Sequence, residues 1–306
     1  MFELAIVGAL IAAGVSYARS RRGLQGEWES LIGPETQPAL RALKKGDFEP
    51  LEQLLASLRQ ESFSEQDHVV HEIGRLLPVE ATKEWVKGRA GDPIAHLLAG
   101  SALLAEAWRI RGSDWAKNVP DSAWAGMHEN LELAAEHLTI AEHLAPSMPS
   151  APALHLMVAR GLSYPPDAQR DLLHRALSAD PLHFGAHWTY IVNRSWKWGG
   201  DNDEMLSFAR EAARKAPAGS PLKGLVVTAL AECGLEAAED GRTSRVIQLE
   251  ADVMMALKEL PDPDAKPNSR CWSAIRRDLA FFYVWTGTES RGLRVLRSAT
   301  KVAQRF

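Results

Sequence analysis

Apolar positions in the middle of the chain return with a period of about 35 residues, and each return ends at a proline. Ala-Pro or Asp-Pro steps close successive apolar-polar stretches at Pro146, Pro181 and Pro217, spaced 35 and 36 residues apart. Five residues before each proline stands an alanine: Ala141, Ala176 and Ala212. Eight residues before stand Leu138, Leu173 and Ala209, the last beside Phe208. A small residue lets two helices approach closely, and the larger one fills the groove between them. Proline then stops the helix, because it has no amide donor and restricts the residue before it. A period of this length fits a helix-turn-helix unit repeated along the chain.

Local signals agree with helices throughout. Residues 92 to 111 read as one amphipathic helix that opens on Asp-Pro, with the proline in the first turn. Asp201 and Glu204 have capping-box spacing, and Arg214 and Lys215 suit the negative end of the same helix. No β-rich alternating run is bounded by hairpin turns. The segment 260–269, with three prolines, reads as a linker. The fold class expected is therefore all-α: an α-solenoid of helix pairs over 24–259, the linker 260–269, and a last pair over 270–306.

Near the C-terminus, Leu279-Ala280, Tyr283, Gly287, Gly292, Leu296 and Ala299 fall at the spacings of a tetratricopeptide motif, and Gly46, Leu51, Leu55 and Leu58 give a fainter copy. The chain resembles a divergent tetratricopeptide-like protein, although Arg276 stands where a tryptophan is usual. The segments AWRIRGSDWA (107–116) and KWGGDNDEMLSFAR (197–210) are similar to bacterial tetratricopeptide-like proteins of unassigned function, over residues 90 to 230. That resemblance implies a repeat fold and no particular chemistry.

From Phe2 to Ala18 the chain is apolar except for Glu3 and Ser16, and Arg19, Arg21 and Arg22 follow. Such a run reaches roughly 25 Å as a helix, the lower edge of a bilayer core. The arginines after it, rather than before it, argue against a cleaved signal and place the rest of the chain on the cytoplasmic side. The expectation is a transmembrane anchor over 1–23 with a cytoplasmic Arg cluster. The alternative is a buried first helix of a soluble cytoplasmic protein.

A hydrophobic share of 46%, a charged share of 24% and a net charge of −4 describe an ordered chain without the basic footprint of a nucleic-acid binder. The two cysteines, Cys233 and Cys271, read as small buried apolar residues.

The search for catalytic chemistry is negative. HExxH, GxSxG, GxxxxGK[ST] and a GxGxxG after a strand are all missing from the sequence. Glu65, Asp67, His68, His71 and Glu72 supply a single Glu-x-x-His unit and read as a solvated helix face. No metal, cofactor or enzyme activity is expected.

Ten tryptophans are many for this length. Trp108, Arg109, Arg111 and Trp115 cluster in one family-like segment, and Trp196, Lys197 and Trp198 in the other. They read either as an aromatic and cationic groove for a protein or peptide, or as core and turn anchors between repeats. On the last helix Arg291, Arg294, Arg297, Lys301 and Arg305 share one face, either a solvated capping face or a contact for anionic lipid. The functional expectation is a membrane-tethered interaction or scaffold module with an unknown protein or peptide partner. Its rival is a soluble enzyme or small-ligand-binding helical protein with a Trp/His-lined pocket.

Overall fold

The computed structural model describes residues 36–112, 114, 116–258, 260 and 270–287. The expected anchor over 1–23, linker residues 261–269, Trp115, and the stripe Arg291, Arg294, Arg297, Lys301 and Arg305 lie outside the described residues. Among those described there are thirteen α-helices, three short 3-10 turns and no strand. No described helix is long and apolar enough to cross a membrane.

The first five helices are α1 (Thr36–Leu43), α2 (Glu49–Glu61), α3 (Phe63–Leu76), α4 (Val79–Gly88) and α5 (Pro93–Arg111). Next come α6 (Asp121–Leu144), α7 (Ser150–Gly161), α8 (Pro166–Ala179), α9 (Phe184–Asn193) and α10 (Asn202–Lys215). The last three are α11 (Leu225–Glu239), α12 (Thr243–Lys258) and α13 (Arg270–Trp285). Their ends follow local chemistry. Ser62 and Asp92 accept the Ser64 and Ile94 amides to start α3 and α5, and Asp201 accepts the Glu204 amide at 2.8 Å to start α10.

The 35- and 36-residue period is carried by buried positions. Ala134, Leu138 and Ala141 of α6, Gln169, Leu173 and Ala176 of α8, and Met205, Ala209 and Ala212 of α10 all lie in the interior. Each helix also ends in the same way: the amides of Ala145, Asp180 and Ala216 donate to the carbonyls of Ala141, Ala176 and Ala212. The proline follows one residue later, where no amide is left to give.

Between these one-sided helices run α7, α9 and α11, buried around most of their circumference. Each packs against its sequence neighbours, and α7 also meets α9, α9 meets α11, and α11 meets α13. Helix α5 is of the same kind. Every residue from Ala95 to Leu104 is buried under α3, α4, α6 and α7, so the amphipathic pattern expected for 92–111 is corrected to a helix covered on all sides.

Helix α3 reaches beyond its neighbours in the chain. It packs on α5, and also on α7, α9 and α13. Its contact with α5 is so close that a Cβ at Gly74 would overlap the Ser101 side chain. The polar residues of α3 make the long-range links. Ser64 Oγ accepts the Phe184 amide at 2.7 Å. Glu65 accepts the Arg270 amide at 3.2 Å, and the Arg270 guanidinium lies 3.7 Å from both Glu65 and Glu72. The solvated face expected for Glu65, Asp67, His68, His71 and Glu72 is therefore corrected: Asp67 is buried and the other four are partly buried, because other helices cover this side.

Cys233 and Cys271 are both buried, as expected, and burial pushes the Cys233 thiol up to about 12. The burial of the regularly spaced positions on α6, α8 and α10 is tested by Ala176→Leu. Because Ala176 has no exposed surface, the larger side chain is expected to destabilise the fold by about 1 to 3 kcal/mol. Ser207→Leu, at an exposed position of α10, should leave the denaturation midpoint nearly unchanged.

Candidate functional site

The inner helices α5, α7 and α9 end at one locus, and each carries an arginine in or just after its last turn. These are Arg109 and Arg111 on α5, Arg160 on α7, and Arg194 directly after α9. Cations are favoured there, since unpaired carbonyls give a helix C-terminus a partial negative charge. Beyond Arg194 the chain turns through a short 3-10 helix, Trp196–Trp198, and reverses at Gly199, whose φ of +77° an L side chain rarely adopts.

This turn brings Trp198 to Trp108. The two indoles meet edge to face with centroids 5.7 Å apart. The guanidinium of Arg160 lies 5.3 Å from each ring centroid, within cation-π range of both. Its Nη1 reaches Asn193 Oδ1 at 3.5 Å, while Asn193 Nδ2 donates to the Leu156 carbonyl at 2.8 Å. Burial lowers the Arg160 pKa to about 10, partly offset by the field of Glu232.

Of the residues expected from sequence, Trp108 and Trp198 come together, and Arg111 lies over Trp108 and Trp124 while donating to the Gly112 and Asp114 carbonyls. Lys197 pairs with Glu232 at 2.8 Å and sits over the Trp285 ring. Trp196 is on the surface, 40% exposed. Arg109 is exposed and bidentate to Glu106, pointing away from the cluster's interior. Sequence reasoning missed Arg160, the hub of the group. Its signal was the single arginine in the run ALHLMVARG, which is apolar apart from it and His155.

A second polar group lies along α3. His183 Nδ1 accepts the Ala186 amide at 3.0 Å, so its ring proton sits on Nε2, which faces Asp67 Oδ2 at 3.0 Å. Burial is the main reason His68 is lowered to about 4, with Arg270 and Arg277 acting in the same sense and Glu65 and Asp67 opposing. Burial likewise lowers His71 to about 3, assisted by Arg75, His68, Arg160 and Arg277. Among the described residues no three His, Cys, Asp or Glu side chains are placed to hold a metal ion. This group ties helices together.

No protein-family model matches the chain, and a comparison with curated proteins gives no match.

Burial also lowers His155 to about 4 and lowers His137 and His187, so His68 and His71 are two contributors among several to the pH response. Both are neutral in the folded protein, whereas the unfolded chain takes up protons below about pH 6.5. Stability is thus fully present above pH 6.5 and is lost as the pH falls toward 4. The loss should reach roughly 2 kcal/mol per histidine at pH 5. A melting temperature that declines over this window in the wild type, and declines less in His71→Gln, is the expected outcome.

Proposed function

We propose that the chain is a tetratricopeptide-like binding module, an interaction or scaffold protein rather than an enzyme. Its helix pairs form a short solenoid curled around α3. The observation that carries this reading is the 35- and 36-residue recurrence of buried positions on α6, α8 and α10, with α7, α9 and α11 enclosed beside them. Stacked units of this kind present an extended surface suited to holding a peptide or protein. On this reading residues 2–18 tether the module to the cytoplasmic face of a membrane. The aromatic and cationic locus around Trp108, Arg111, Trp196, Lys197 and Trp198 is then the partner-binding face, with exposed Trp196 as its outermost contact.

A second reading, a helical protein for a small ligand, is favoured by one observation: the indole Nε1 atoms of Trp108 and Trp198 are buried with no hydrogen-bond acceptor among the described residues.

The test is affinity capture from a detergent extract of membranes with the full chain, beside Trp196→Ala. The module reading expects a stoichiometric partner with the wild type and its loss with a variant that melts at the same temperature. Capture that is identical for both proteins, or no stoichiometric partner at all, contradicts it. A melting temperature raised by a single metabolite from a panel would favour the second reading, through linkage of binding to stability.

A further inference from the structure

Arg160 differs from the cations around it. Arg109 is paired with Glu106, Arg194 with Glu204 at 2.5 Å, and Lys197 with Glu232 at 2.8 Å. Among the described residues no carboxylate lies within 4.0 Å of Arg160, and the acid whose field reaches it, Glu232, is already engaged by Lys197. Its protein hydrogen bond, to Asn193, is at the long limit of 3.5 Å.

Within the locus Arg160 Nε, Trp108 Nε1 and Trp198 Nε1 are buried and unpartnered, as is the Nε of Arg194, whose Nη2 is paired with Glu204. Indole and guanidinium nitrogens only donate, so the group that completes them is an acceptor. The C-terminal ends of α5 and α7 explain why a cation belongs here, but their diffuse field does not accept a particular N–H. An acceptor that also carries negative charge meets both needs, and in a partly desolvated setting a charge-assisted contact is stronger than in water. The planar guanidinium fork suits an oxyanion in particular. Arg160, Trp108 and Trp198 each keep some exposed surface, while their three N–H groups themselves are covered, so an anion reaches them only as the side chains shift.

We propose that Arg160, Trp108 and Trp198 bind the oxyanion group of a small ligand, a carboxylate or a phosphate. The inference rests on the second reading of this locus, as a site for a small ligand. It adds the chemical class of what is bound.

The experiment is calorimetric titration of the full chain with sodium phosphate and, separately, sodium acetate, against sodium chloride at the same ionic strength. One of the two oxyanions should bind saturably at one site with a dissociation constant of about 1 mM or below, and the better of the two identifies the source. Arg160→Gln should abolish binding. Trp198→Phe keeps an aromatic ring but removes one donor, and should weaken binding about tenfold without changing the melting temperature. Should Arg160→Gln fail to fold, Trp198→Phe and Trp108→Phe decide the matter. Trp196→Ala, outside the Arg160–Trp108–Trp198 group, should bind the anion like the wild type, so loss of a protein partner there and loss of the anion site are separable. Absence of saturable binding by both oxyanions, or unchanged binding in Trp198→Phe and Trp108→Phe, overturns the proposal.

Discussion

The arrangement depends on one constraint: the polar residues of α3 are covered by other helices, and their partners come from far along the chain. Asp67 faces His183, Ser64 takes the amide of Phe184, and Glu65 and Glu72 share Arg270. These contacts join residues more than 110 positions apart, so α3 can be satisfied only when α9 and α13 are in place. A buried charge whose partner is removed is strongly destabilising, typically by 3 to 5 kcal/mol. The link therefore couples α3, α9 and α13, which depend on one another to satisfy these groups.

That closure also shapes the candidate site. With α3 against α5, α7 and α9, the inner helices run side by side and end together, which is what places Trp108, Arg160 and Trp198 within one contact group. The inner helices supply the scaffold and the turn after α9 supplies the second indole. Neither would make the group alone: the aromatic pair needs the 3-10 turn at Trp196–Trp198, and the cation needs the last turn of α7. The same closure covers His68 and His71 and so adds to the sensitivity of the fold to acid.

Much of the helical frame was legible in the sequence because it is written as period and punctuation. Ala141, Ala176 and Ala212, the prolines after them and the Asp201 cap mark their helices without reference to anything distant. What was not legible involves residues whose surroundings are set by distant parts of the chain. The stretch SEQDHVVHE of α3 looks solvated, since a polar residue shows the same letter whether water or another helix satisfies it. Helix α5 looked one-sided because the cover from α3 and α7 is a tertiary fact. Arg160 left a trace, a lone charge in an apolar run, but its two tryptophans lie 52 and 38 residues away.

Hydrogen exchange of the α3 backbone amides tests the central role of this helix most directly. If α3 is the element that α5, α9 and α13 close upon, its interior amides should open only with global unfolding, as slowly as those of α11. Exchange in α3 at the faster rates of an independently fraying helix, while α11 stays protected, would contradict the account.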